Sequence, residues 1–205
     1  MLESPRAVPP IVECSPNFSE GRRAAVIEAI ADAVGAAGAT VLDVQIDAEQ
    51  NRSVVRFAGE PPAVERAALA AAAVAVEQID LTRHTGTHPR IGAIDVVPFA
   101  PVAGATIADC VALAERVGEA LARELDLPVY LYGEAARRPE RRDLAAIREG
   151  QFEGLRAAVD ADGARRPDFG PARLGPAGAV AVGARHLVVH GVVRLEPAGD
   201  DLAAA

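Results

Sequence analysis

Two rhythms of apolar residues alternate along this chain, one near two and one near 3.6, and the switches between them mark its elements. Ile11 to Cys14 is a short apolar run stopped by Ser15-Pro16-Asn17, and it reads as a strand. From Arg22 to Val34 the period lengthens, with Ala25, Ile27, Ile30 and Val34 near one face of a helix. Ser19 is the expected N-cap, and Gly35 and Gly38 stop the helix. Thr40 to Val44 and Ser53 to Phe57 read as a hairpin around the polar turn Asp47-Ala48-Glu49-Gln50-Asn51. Pro61-Pro62 then opens a second helix that runs to Ile79.

The uninterrupted apolar run Ile94 to Phe99 predicts a strand buried on both faces. Ile107, Cys110, Val111, Ala114, Val117, Leu121 and Leu125 form one stripe, so residues 107–125 are an amphipathic helix. Pro128 to Tyr132 is another strand, and Pro139 to Ala157 is helical in two pieces broken near Gly150. Residues 158–178 are rich in Gly, Pro, Asp and Arg and have no period, while Ala179 to Val182 and Leu187 to Leu195 read as closing strands. The order β-α-β-β-α-β-α-β-α-β implies an α+β fold, a mixed β-sheet with helices packed mainly on one face. One domain over 10–195 is expected, with a flexible tail at 1–9 and a disordered tail at 196–205.

Composition narrows the chemistry. A 205-residue chain of this kind buries roughly 70% of its unfolded surface and needs no staples. Only 3% of residues are aromatic, against 50% apolar, which leaves no stacking platform for single-stranded nucleic acid. The net charge of −8 disfavours nucleic acid and anionic membranes as partners. All 21 basic residues are arginine, which excludes lysine Schiff-base chemistry and the P-loop lysine and leaves guanidinium forks for carboxylates or phosphates. Cys14 and Cys110 lack metal-ligand spacing and read as buried free thiols. No run is long and apolar enough for a membrane span, and a soluble cytoplasmic protein is expected.

The richest chemistry lies in Arg83-His84-Thr85-Gly86-Thr87-His88-Pro89-Arg90-Ile91-Gly92-Ala93-Ile94-Asp95, a polar loop feeding a buried strand. His88 suits proton transfer near neutrality, although a solvated loop histidine has the same look. His84, beside Arg83, fits a positioning role. Gly86 and Pro89 break the helix that would aim both rings at one metal, and no metal is expected. His186 and His190 share a strand face but would stand roughly 13 Å apart, too far for one ion. Asp43, Asp47, Glu49 and Asn51 surround one turn, where a carboxylate either orients a histidine or does ordinary turn work. The arginines of 137–142 form either a carboxylate clamp or a charged surface turn. Asp168-Phe169-Gly170-Pro171 and the following glycines allow close backbone approach to a ligand, or simply connect.

Taken in order, Val12-Glu13-Cys14-Ser15-Pro16-Asn17-Phe18-Ser19-Glu20-Gly21, Asn51-Arg52-Ser53-Val54, His84 to Phe99, Val129 to Ala136, Ile147 to Glu153, Asp168 to Pro171 and Val182 to Arg185 resemble the formiminotransferases. The resemblance covers about residues 10–195 and implies the N-terminal subdomain of that family. It implies transfer of a formimino group from N-formimino-L-glutamate to N5 of tetrahydrofolate, the co-substrate, in histidine breakdown. It places the catalytic histidine at His88, assisted by Asp43 or Asp47. It places a folate-contacting loop over Gly170 to Gly178, Pro171 included, while the chemistry of the residues offers Arg52, Arg90 and Arg148 for the substrate carboxylates, with Asn51 beside them. A second wall of the cleft is expected from self-association or a partner. The alternative is a noncatalytic folate- or partner-binding module on the same scaffold.

Overall fold

The structure, a computed structural model, describes residues 9–187. Its centre is a seven-stranded sheet of β1 (Ile11–Cys14), β2 (Asn17–Phe18), β3 (Thr40–Asp47), β4 (Arg52–Gly59), β5 (Ile94–Ala103), β6 (Val129–Gly133) and β7 (Val180–Ala184). β3 pairs with β4 at one edge, β1 and β2 share the lane between β4 and β5, and β7 and β6 follow. β7 runs parallel to both β5 and β6, while the remaining pairs are antiparallel, so the sheet is mixed. Three long helices, α1 (Ala24–Ala36), α2 (Pro61–Gln78) and α3 (Ile107–Leu125), pack on one face. Their apolar stripes meet Val12, Cys14, Val55, Phe57, Val97, Phe99 and Leu131 in one fully buried core. α2 enters it through Ala67, Ala68, Ala71, Ala72 and Ala75, small side chains that let helix and sheet approach closely. Two short helices, α4 (Leu144–Arg148) and α5 (Gln151–Ala158), follow β6.

The expected α+β architecture holds, one short strand is added to it, and two local expectations are corrected. The first strand ends at Cys14, before Ser15-Pro16, as expected, and what the pattern did not show is β2 directly beyond it. Pro16 removes one rung, but β4 and β5 flank the lane on both sides, so the chain re-enters it at Asn17. Ser19 does not cap α1, whose N-cap is Arg23 with no side-chain cap bond. Ser19 instead donates to the Gly92 carbonyl at 2.7 Å, and Glu20 accepts from the Arg22 and Arg23 amides at 2.8 and 2.9 Å. The hairpin is longer and tighter than its propensities suggest, because Asn51 takes the left-handed conformation at φ 52° and closes the turn between Asp47 and Arg52. The two cysteines are free and buried. The predicted strand Leu187–Leu195 and the tail at 196–205 lie outside the described residues, as does most of the tail at 1–9.

Two glycines fix the loop that enters β5. A Cβ on Gly92 would lie 1.8 Å from the Ala179 carbonyl oxygen, and one on Gly178, at φ +73°, would lie 2.1 Å from the Ile91 carbonyl oxygen. This contact locks the His84–Asp95 loop against the start of β7. Gly92→Ala is therefore expected to cost at least about 2 kcal/mol, because backbone cannot yield as a side chain does. Urea unfolding followed by circular dichroism checks this.

Candidate functional site

The face of the sheet away from α1–α3 carries the candidate site. Strand alternation sends Arg52, Val54 and Arg56 of β4 to this face, and Val96 and Pro98 of β5 and Tyr132 of β6 join them. With Arg148 of α4 and Arg185 after β7 they line a cavity of about 390 Å³. Four guanidiniums and no carboxylate line it among the described residues. Arg52 donates to the Asn17 amide oxygen, and Arg185 donates to the Ser15 hydroxyl at 3.1 Å. Arg148 pairs with Asp95, a carboxylate only 1% exposed that also accepts from the Ile91 amide at 2.7 Å. Burial pushes the Asp95 carboxyl up, and Arg148 with the Ile91 and Gly92 amides holds it back.

His88 stands beside this cluster. Burial, then the Arg52 and Arg148 cations, push its pKa down to about 4, while Asp47 opposes them. The ring is thus neutral at pH 7. Its Nε2 is buried without a hydrogen-bond partner, and so are Nε of Arg52 and Nε of Arg148. Arg56 Nε, on the same cavity, is bare as well, and buried polar atoms are seldom left without a partner. An unprotonated imidazole edge and two guanidinium forks can accept a proton and hold carboxylates on the same small molecule.

The loop is held from behind by residues of the same motif. Arg90 is 7% exposed. It donates through Nε to His84 Nδ1 at 3.1 Å and through its two terminal nitrogens to Glu153 and Gln151. Arginine has no acceptor, so His84 carries its proton on Nε2 and donates it to the Asn51 carbonyl at 3.2 Å. Burial lowers the His84 pKa, which suits that neutral tautomer. Asn51 accepts from the Gly21 amide and donates to the Thr85 carbonyl, both at 2.9 Å. The residues expected at the site, catalytic and binding, therefore separate. Arg52, Arg148, His88 and Asp47 come together, whereas the side chains of Asn51 and Arg90 are occupied in fixing the loop.

The others are further off. Asp43 is exposed on β3, accepts from the Gln45 amide at 2.8 Å and lies opposite Arg56. Gly170, at φ +83°, is exposed where a Cβ would lie 2.2 Å from the Leu127 carbonyl oxygen, and the half-buried Pro171 follows it. Gly178 supports the loop from β7's end, as above. Arg56, Arg185, Asn17 and Ser15, which line this cavity, were not singled out by the sequence reading. The period-two pattern Arg52-Val54-Arg56 is the signal for one of them, and an aspartate opening an otherwise apolar strand is the signal for Asp95. Among the described residues no three His, Cys, Asp or Glu side chains are grouped for a metal, and no helix is long and apolar enough to cross a membrane.

The features together define an α+β domain whose mixed sheet is backed by three helices and carries arginines on its open face, with a neutral histidine at the rim. Residues 11–185 match the formiminotransferase domain, N-terminal subdomain, and the chain belongs to that family. It is 44% identical over 196 residues to glutamate formimidoyltransferase of Streptococcus pyogenes serotype M1, covering 94% of this chain and 65% of that protein. It is 48% identical over 181 residues to formimidoyltransferase-cyclodeaminase of Gallus gallus, covering 87% of this chain and 33% of that protein. The glutamate formimidoyltransferase of Thermoplasma acidophilum is 44% identical over 182 residues, with 60% of its length covered. The chain thus spans less than two thirds of the length of these relatives.

Proposed function

We propose that this chain supplies the histidine and arginine side of a formimino-transfer site, moving a formimino group from N-formimino-L-glutamate to N5 of tetrahydrofolate. The observation that carries the reading is the orphaned Nε2 of His88 beside the orphaned Nε atoms of Arg52 and Arg148. Arg52 and Arg148, with Arg56 and Arg185 behind them, hold the glutamate carboxylates. N5 attacks the formimino carbon, and His88 takes the proton that N5 sheds. The tetrahedral carbon then expels the glutamate nitrogen, which receives that proton from His88. One bond forms, one breaks, and the proton returns to the product. Asp47, the carboxylate whose charge reaches His88, steadies the cationic carbon centre; Asp43 lies four residues back along β3, opposite Arg56. The step needs proton transfer alone, so no metal is invoked, and both substrates are small soluble molecules of the cytoplasm.

The arginine face is open among the described residues, and the relatives are longer. The missing wall therefore comes from further chain, a second copy or a separate protein, and it excludes water from the arginine contacts. Purified protein mixed with N-formimino-L-glutamate and tetrahydrofolate, assayed for glutamate release, tests the reading. Catalysed release supports it. Saturable folate binding without release replaces it with the noncatalytic module.

The charge arrangement makes a further demand. The two cations that depress His88 are the ones a dicarboxylate neutralises. Ligand binding is therefore expected to raise the His88 pKa above its free value of about 4. In rate terms, kcat/KM follows the free-protein pKa and kcat follows the higher bound one, so kcat falls first as pH drops. A proton NMR titration of the His88 ring with and without saturating L-glutamate reads the shift directly. An unchanged pKa at saturation removes Arg52 and Arg148 from carboxylate binding.

A further inference from the structure

We propose that Asn51 is the positioning residue of this site: it ties the hairpin turn that carries Asp47 and Arg52 to the loop that carries His88, and so sets how basic that histidine is. The role rests on the reading of His88 as the group that moves a proton. Three segments distant in sequence meet at the turn: 19–22 before α1, 47–52 between β3 and β4, and 84–88 before β5. Asn51, only 8% exposed, bonds to both of the others. Its Oδ1 accepts from the Gly21 amide and its Nδ2 donates to the Thr85 carbonyl, both at 2.9 Å. Its own carbonyl accepts from His84 Nε2 at 3.2 Å. Arg22 repeats the link from outside, donating through Nε to the Ala48 carbonyl at 3.0 Å and through Nη1 to the Thr85 hydroxyl at 3.2 Å. That arginine is exposed, so water competes for each of its bonds and the buried tie dominates.

The turn has little slack. A Cβ on Gly21 would lie 2.1 Å from the Asp47 carbonyl oxygen and 2.5 Å from the Arg52 nitrogen. One on Gly86 would lie 2.4 Å from the Gln50 carbonyl oxygen and 3.0 Å from Asn51 Cβ. Both flanking segments thus press bare backbone against the turn, at a distance only glycine allows. Asn51 itself stands at φ 52°, a left-handed conformation that asparagine adopts more readily than most side chains. Asp47 Oδ1 accepts from the Gln50 amide at 2.8 Å, so the turn also orients that carboxylate. To reach a ligand, the Asn51 amide would have to give up two buried bonds, which makes direct contact the poorer use of it.

The consequence falls on His88. Asp47 and Arg52 are the two ends of the turn, and His88 lies two residues beyond Gly86. The charges that act on the ring are Arg52 of β4, Arg148 of α4 and Asp47 of β3. Two of these three hang from the turn, while Arg148 is held separately by Asp95. Freeing the turn carries the Arg52 cation and the Asp47 anion away together and lets water reach the ring. Burial and Arg52 act more strongly on His88 than Asp47 does, and both favour the neutral ring. Their joint loss therefore makes the imidazole easier to protonate. Asn51 touches no reacting atom in this account and acts through its neighbours.

A proton NMR titration of the histidine rings without substrate tests this, the His88 signal being identified by its loss in His88→Ala. Asn51→Gly suits the left-handed turn and removes both side-chain bonds, so it is expected to fold, with the His88 pKa rising from about 4 toward the ordinary 6.5. Gly21→Ala drives the same turn outward without altering Asn51 and is expected to raise it as well. Leu113→Ala opens the core under α3, which packs on α2, β5, β6 and β7. It is expected to lower the urea midpoint and leave the His88 pKa in place, which a general loss of stability could not distinguish from Asn51→Gly if both moved alike. An unchanged His88 pKa in Asn51→Gly, or an equal rise in Leu113→Ala, overturns the proposal. Glutamate release is followed on the same proteins. A wild-type chain that releases none, with the His88 pKa still moving in Asn51→Gly, keeps the tie and rejects the transfer reading.

Discussion

His88→Ala is expected to lower formimino transfer by roughly two to four orders of magnitude, the usual worth of one positioned acid–base group. The fold should be unaffected. His88 is only half-buried and its Nε2 bonds to nothing in the protein, so its removal leaves no partner stranded. Carboxylate binding should persist, because Arg52 and Arg148 remain and lose only a neutral neighbour. The expected signature is thus a collapse of kcat with KM for N-formimino-L-glutamate little changed. Turnover within a few-fold of wild type would assign the proton transfer elsewhere. His84→Ala makes the instructive contrast. It removes the acceptor for Arg90 and the donor to Asn51, so its loss should appear first in loop order and stability.

Asp95→Ala is expected to be the most destabilising single change at the site, about 3–5 kcal/mol, because it strands one partner of a buried ion pair. Arg148 would lose its counter-charge, and the Ile91 amide would lose its acceptor in a loop only one turn from His88. Asp95→Asn keeps the shape and an acceptor for Ile91, so it should fold better while still loosening Arg148. The isosteric variant is therefore the one to carry into assays, where a raised KM for the dicarboxylate substrate is expected. Urea midpoints for both variants, with KM for the second, check the claim. A cost below about 1 kcal/mol for the alanine variant would show that the pair contributes little.

Much of this was legible in the chain. The stripe Ile107 to Leu125 coincides with α3 residue for residue, because an uninterrupted amphipathic period with a polar cap leaves one low-energy solution. Thr106 and Asp109 supply the reciprocal cap. The His84–Asp95 loop was legible too, since glycine, proline and clustered polar residues before an apolar run have few other uses. The assignment of roles inside it was not. Nothing in residue type separates Arg90, sealed against Glu153 and His84, from Arg52, whose Nε is left bare. Likewise Asp168-Phe169-Gly170-Pro171 reads as a ligand loop, and in the fold its aspartate closes a sheet edge at Leu131, a hydrogen-bonding need that appears only once β6 has no further neighbour.

The chain by itself determined which segments are helix and strand, that helices would cover one face, and that arginine and histidine would do any chemistry. Those follow from periodicity, propensity and composition, which act over a few residues at a time. Tertiary structure decided which cations stand free and which carboxylate lies buried beneath them. Each of these depends on groups tens of residues apart, such as Asp95 with Arg148 or Ser15 with Arg185, brought into one low-dielectric place. There desolvation and mutual charge set the protonation of His88, and no local pattern encodes that sum.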